Sequence, residues 1–148
     1  MKAPILEYFL KYQQRWLTDS SRFKIGLWAR QTGKDYTCAG EAVFDCVQNP
    51  KTHWLILACG ERQARESLLK AKEWAHRLLA DDAESKPPCY VPIRRESASE
   101  ILFENGSRIT ALPAKPGTVR GYSANVILTE FAFHDDPEEI WKAIFPSV

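Results

Sequence analysis

An α/β fold, a mainly parallel sheet with helices on both faces, follows from three observations on the 148-residue sequence. Apolar runs of strand length, Phe23–Trp28, His53–Cys59 and Asn125–Thr129, alternate with segments of helical period. The runs at 53–59 and 125–129 lack the polar alternation of a half-solvated sheet, so they read as strands buried on both faces. An Asn105-Gly106 pair between two further apolar runs supplies the type I′ turn of a β-hairpin. Strands alternating with helices place those helices on both sides of a parallel sheet.

The elements follow in order. Ile5, Leu6, Phe9, Leu10, Tyr12, Trp16 and Leu17 share one face of a helix that Thr18-Asp19-Ser20-Ser21 ends. The strand Phe23–Trp28 passes through a polar turn, Arg30 to Lys34, into a helix over Tyr36–Val47 that stops near Asn49-Pro50. Pro50 and Gly60 bound the second strand. Glu61–Leu79 is helical, with Ala64, Leu68, Ala71, Trp74, Ala75 and Leu78 recurring at three and four. Asp81–Arg95 is polar and contains Pro87, Pro88 and Pro92, and it reads as an exposed loop. Glu100–Phe103 and Arg108–Leu112 form the hairpin, and Pro113–Ser123 is a loop. After the strand 125–129 comes a polar and aromatic junction, Glu130–Asp136. Pro137 opens a short helix, as proline does at a first helical position, and Pro146 ends it.

Composition narrows the classes. A 45% hydrophobic share can build one sizeable core. The net charge of +1 gives no global basic field, so any contact with DNA comes from a local patch or from other parts of an assembly. No apolar run approaches the ~20 residues of a membrane span, and Met1–Leu10 lacks a signal-peptide core. Cys38, Cys46, Cys59 and Cys89 form no C-x-x-C pair, and they read as buried free thiols of a reducing compartment. His53, His76 and His134 do not cluster with them, which argues against zinc.

Two stretches carry chemistry. The first is strand, Arg30-Gln31-Thr32-Gly33-Lys34, helix: the layout of a phosphate-binding loop. Gly33 lets the backbone approach an anion, the helix N-terminus offers unpaired N–H groups, and Lys34 adds a full charge. The match to G-x-x-x-x-G-K-[ST] is imperfect, because Trp28 holds the first glycine position and Asp35 follows the lysine. A strand-to-helix turn that happens to contain Gly-Lys fits the same residues. The second stretch is Val126–His134, an apolar strand ending in Thr129-Glu130. A nucleotide hydrolase places its Mg2+-linked carboxylate and catalytic glutamate at such a strand end. A buried strand with one exposed carboxylate fits equally. Together the two stretches sit at C-terminal strand ends, where α/β sheets bind ligands, and the fold reads as P-loop NTPase-like with an added N-terminal helix and hairpin.

Four blocks, Tyr12–Leu17, Ala29–Lys34, Thr118–Tyr122 and Leu128–Phe133 with Asp136-Pro137, occur in the order found in the large terminase subunits of tailed phages. The chain resembles the N-terminal ATPase half of that family, close to its Mu-like prophage members, nearly end to end. The resemblance implies residues 1–21 as an N-terminal helix with an adenine-side glutamine, and 22–148 as an ATPase core. It implies an ATP-binding and ATP-hydrolysing motor that packs double-stranded DNA into a procapsid with Mg2+. Portal and small terminase subunit are the implied partners, in an oligomeric ring and in the bacterial cytoplasm. It also implies that the chain stops before the family's coupling strand and nuclease domain. Non-catalytic alternatives are a remnant or an assembly module of the same family; a helicase-like P-loop ATPase is another.

Residue by residue, the resemblance implies that Gln13 reads adenine and that Arg30 stabilises γ-phosphate charge. Gln31, Thr32, Gly33, Lys34 and Asp35 line the nucleotide, Glu130 activates the attacking water, and Arg120-Gly121 approach nucleotide or DNA. Two positions depart from the family. Asp35 stands where Thr or Ser is usual, and Thr129 where Asp is usual; both are the implied Mg2+ ligands. The exchange is reciprocal and keeps the ligand charge if both side chains face one metal. In the opposite reading Asp35 repels triphosphate and the site is inactive.

Overall fold

The computed structural model describes residues 6–80, 91–119 and 121–147. In chain order its elements are α1 (Lys11–Thr18), α2 (Lys34–Gln48), β1 (His53–Ala58), α3 (Glu61–Ala80), β2 (Ile93–Glu96), β3 (Glu100–Phe103), β4 (Arg108–Pro113), α4 (Pro116–Val119), β5 (Asn125–Leu128) and α5 (Pro137–Ile144). Short 3-10 turns follow at Phe131–Phe133 and Phe145–Ser147.

The five strands form one sheet in the order β2-β3-β4-β1-β5. β1 pairs parallel with both β4 and β5, whereas β3 runs antiparallel to β4 and to β2. Four strands therefore point one way and β3 alone is reversed, which is the mainly parallel sheet that the sequence predicts. Alternate residues of β1 feed two cores. Ile56 and Ala58 join Val43, Phe44, Leu68 and Trp74 under α2 and α3. Leu55 and Leu57 join Val119, Ile140 and Ile144 under α4 and α5. Helices thus cover both faces. The hairpin is where Asn105-Gly106 predicts it, but its turn is not type I′: Asn105 is not left-handed, Gly106 N–H bonds to Phe103 O at 3.0 Å so that Glu104 and Asn105 are the central pair, and Gly106 follows them with a left-handed φ of 82°.

Four further expectations are corrected. The run Phe23–Trp28 is not a strand of the sheet; it has no place in the ladder, and Ile25 and Leu27 are 99% and 102% exposed. An apolar run has strand propensity, but a strand exists only where a partner supplies its hydrogen bonds. The helix expected over Ile5–Leu17 is broken among the described residues: Leu6 is helical, residues 7–10 are not, and α1 starts afresh at Lys11, because Leu10 is extended and its N–H is taken by Gln13 Oε1 at 2.9 Å. That break frees Phe9 to stack on Trp74, ring centroids 4.8 Å apart, in the larger core. The loop reading of Asp81–Arg95 fails at its end, since Ile93–Glu96 pairs with β3 as an edge strand. The helix after the phosphate-loop turn starts two residues earlier than its periodicity, at Lys34. Residues 81–90, with Cys89, lie outside the described residues. Burial pushes the Cys38 thiol up to about 12 and raises that of Cys46 as well.

Candidate active site

The turn before α2 is built on left-handed backbone. Gln31 has φ 60° and Gly33, which caps α2, has φ 77°. Glycine suits position 33 first by its φ, which strains any L side chain; a Cβ there would also lie 2.7 Å from Gln13 Nε2 and make that amide move. The Thr32 hydroxyl donates to the Ala29 carbonyl at 2.7 Å and closes the turn. Thr37 donates through both its N–H and its hydroxyl to the Gly33 carbonyl. The first-turn amides of α2 have no intrahelical acceptor, and the positive end of the helix dipole lies with them.

On the sheet side, β5 ends at Leu128, and Thr129 N–H still bonds to Leu57 O at 2.9 Å. Glu130 then turns left-handed, φ 50° and ψ 44°. Of three non-glycine residues with positive φ among the described residues, two, Gln31 and Glu130, lie here. Strain of this kind clusters where a side chain must be aimed. Buried His134 fastens the turn, its Nε2 3.1 Å from Thr129 O. Cys59, at the end of β1, reaches the Glu130 carbonyl at 4.0 Å; it is exposed, contrary to the expectation of a buried thiol.

The two stretches meet. Lys34 Nζ and Glu130 Oε1 are 3.2 Å apart across 96 residues of chain, with the side chains 37% and 50% exposed. Beside them, burial raises the Asp35 carboxyl above its ordinary value; Lys34 pulls it down, Glu130 pushes it up and Lys70 pulls it down. Asp35 and Glu130 are therefore two carboxylates that repel each other, with the Lys34 ammonium beside both and Lys70 also acting on Asp35. Among the described residues no three His, Cys, Asp or Glu side chains gather as a metal site; Mg2+ that comes with phosphate and water needs only one or two carboxylates from the protein. Thr129 uses its main chain on Leu57 and His134, and its hydroxyl makes no hydrogen bond among the described residues.

The other sequence-predicted residues are placed as follows. Gln13 is buried, and its amide is engaged within the chain: Oε1 accepts from Leu10 N–H and Nε2 donates to Thr32 O at 3.1 Å. Arg30 is exposed and makes no ion pair among the described residues. Gly121, with φ 88° and open space around it, precedes Tyr122, whose ring contacts His53 at the start of β1. That is the opposite end of the sheet from Glu130, so the structure does not bring Gly121 to the Lys34–Glu130 cleft. Arg120 lies outside the described residues. Sequence reasoning missed Tyr12, whose hydroxyl donates to the same Thr32 carbonyl at 2.8 Å, and the fastening by His134. For Tyr12 the signal was available: it stands beside Gln13 in a block already singled out.

Comparison with known proteins decides the family. The family model for the terminase large subunit, T4likevirus-type, N-terminal, matches residues 25–148. The chain belongs to this terminase family. It is 30% identical over 155 residues to the probable terminase large subunit gp28 of Escherichia phage Mu, covering 93% of this chain and 26% of that protein. It is 25% identical over 138 residues to the Mu-like prophage FluMu protein gp28 of Haemophilus influenzae, covering 90% and 27%. The chain thus spans about a quarter of the length of these curated relatives. Two solved structures of a large terminase ATPase domain from a Thermus phage, one of them a mutant, superpose with TM-scores of 0.73 and 0.72. Their identities are 20% and 22%, and the match covers 97% of this chain and 62% of each of theirs. The terminase chain therefore has the fold of such an ATPase domain. The family match replaces the helicase-like alternative. Among its described residues no helix is long and apolar enough to cross a membrane.

Proposed function

We propose that this chain is the ATP-binding and ATP-hydrolysing motor part of a DNA-packaging terminase large subunit. The observation that carries the reading is the 3.2 Å approach of Lys34 to Glu130 at the mouth of a left-handed turn and a helix N-terminus. Lys34 and the first-turn amides of α2 hold the β- and γ-phosphates. Glu130, aimed by its turn, accepts a proton from the attacking water or orients it. Arg30, on the loop and without an ion pair among the described residues, supplies charge to the γ-phosphate as phosphoryl transfer proceeds. Gln31, Thr32 and Gly33 shape the cradle. Gln13 holds Thr32; an adenine contact from it would use the second Nε2 hydrogen.

Asp35 is the candidate ligand for Mg2+, with Thr129 as its partner by family position. The ion supplies charge neutralisation on the phosphates when bound. Double-stranded DNA, the portal of a procapsid, the small terminase subunit and other copies in a ring are the proposed partners, in the cytoplasm of a bacterial host.

The test is ATP affinity measured with and without Mg2+. Binding that strengthens with Mg2+ supports a working site. Binding that ignores Mg2+ points to a family member whose metal site has been lost, and no binding at all removes the motor reading for this chain.

A further inference from the structure

The segment feeding the phosphate loop, Phe23–Trp28, has no place in the β-ladder. Something other than sheet hydrogen bonds must therefore fix where the loop begins. Side chains do this, and they converge on Glu41. It lies on α2, seven residues beyond Lys34, and uses both carboxylate oxygens. Oε1 pairs with Lys24 Nζ, and Oε2 accepts from Trp16 Nε1 at 2.8 Å. Lys24 Nζ also donates to the carbonyls of Trp16 at 3.1 Å and Asp19 at 3.4 Å, and it lies 4.9 Å from the Trp16 ring centroid. The Lys24 and Glu41 side chains are only 14% and 16% exposed, so this pair is shielded from solvent and salt far more than a surface ion pair. Trp16 in turn meets Trp28 edge-on at 5.9 Å, and Trp28 meets Tyr12 at 5.6 Å.

Along the chain, Lys24 precedes the loop and Glu41 follows it. Their contact closes the base of the loop as a clamp, with α1 as the third side. We propose that Glu41 is a positioning residue for the phosphate loop, acting through Lys24 and Trp16. Its consequence for ATP rests on the nucleotide reading above, but its effect on the loop does not. Glu41→Gln keeps the size and one acceptor and loses the charge; Trp16→Phe leaves the Lys24–Glu41 pair in place and removes the indole N–H together with part of the ring that Lys24 and Trp28 contact.

The experiment is amide hydrogen exchange by mass spectrometry on the whole chain, comparing residues 29–36 with β1 and α3 in the wild type, Glu41→Gln and Trp16→Phe. Local opening of the loop should raise exchange at 29–36 by roughly tenfold in Glu41→Gln and by less in Trp16→Phe, with β1 unchanged. ATP affinity, measured in parallel, should fall in the same order. Should Glu41→Gln fail to fold, Trp16→Phe decides alone. Exchange at 29–36 that stays at the wild-type level, or that rises equally in β1, overturns the proposal. A wild type that binds no ATP, with a loop still loosened selectively by Glu41→Gln, leaves the clamp standing and removes the nucleotide reading. A wild type that binds ATP, with loop and affinity indifferent to Glu41→Gln, does the reverse.

Discussion

Replacing Lys34 by alanine separates two quantities that the structure makes unequal. The Lys34–Glu130 pair is 3.2 Å long but 37% and 50% exposed. An ion pair this wet contributes about 0.2–1 kcal/mol to folding after screening and side-chain entropy. Lys34→Ala should therefore shift the unfolding free energy by less than about 1 kcal/mol. Against ATP the same ammonium makes a charge-assisted contact to a phosphate, and losing it costs about 1.5–3 kcal/mol. That is roughly a 10- to 150-fold weaker Kd. The assay is ATP titration by calorimetry or by a fluorescent analogue, with urea unfolding run on the same samples. Unchanged ATP affinity would refute the phosphate-cradle reasoning. A loss of several kcal/mol in stability would refute it too, because Lys34 would then be a structural residue.

The remaining predictions concern its neighbours. The Asp35 carboxyl is raised in the folded state, first by burial, so its protonated form favours folding fully below the ordinary value of 3.8, and that contribution is lost as pH rises through the higher folded value. Asp35→Asn should thus gain stability relative to wild type as pH climbs from 3.8 toward neutral, read from unfolding midpoints across pH; a difference that runs the other way sinks the assignment. Asp35→Thr and Thr129→Asp should each weaken Mg2+-dependent ATP binding while the double change recovers it, since residues sharing a ligand couple non-additively; additive effects in the four-way affinity comparison would mean the two positions do not share a metal. Leu27→Ser should cost no more than about 0.5 kcal/mol in unfolding, because the side chain is already in solvent; a cost of 2 kcal/mol or more, roughly that of a buried leucine, would mean that the segment is packed after all.

What the sequence determined by itself was whatever repeats locally. An unbroken apolar run of strand length, a 3.6-residue period, an Asn-Gly pair and a proline at a first helical position each depend on neighbours a few residues away, so β1, α3, the place of the hairpin and α5 were legible, though not the type of the hairpin turn. The turn-to-helix layout at Gly33-Lys34 was legible too, since a glycine turn and a helix start are properties of a short stretch. Tertiary structure alone decided the rest. Phe23–Trp28 carries the composition of a strand, but no hydrogen-bonded neighbour is specified by its own residues, and Ile25 and Leu27 end in solvent. Ile93–Glu96 carries Arg94 and Arg95 and still became a strand, because the free edge of β3 offered it a ladder. Gln13 reads as a solvated or ligand-facing amide until the folded chain presents the Leu10 N–H and the Thr32 carbonyl to it. Lys34 and Glu130 meet across 96 residues only because the turn after β5 and the start of α2 open on the same side of the fold. Each of these depends on which surfaces face one another, and a distance through space is set by the whole packed chain.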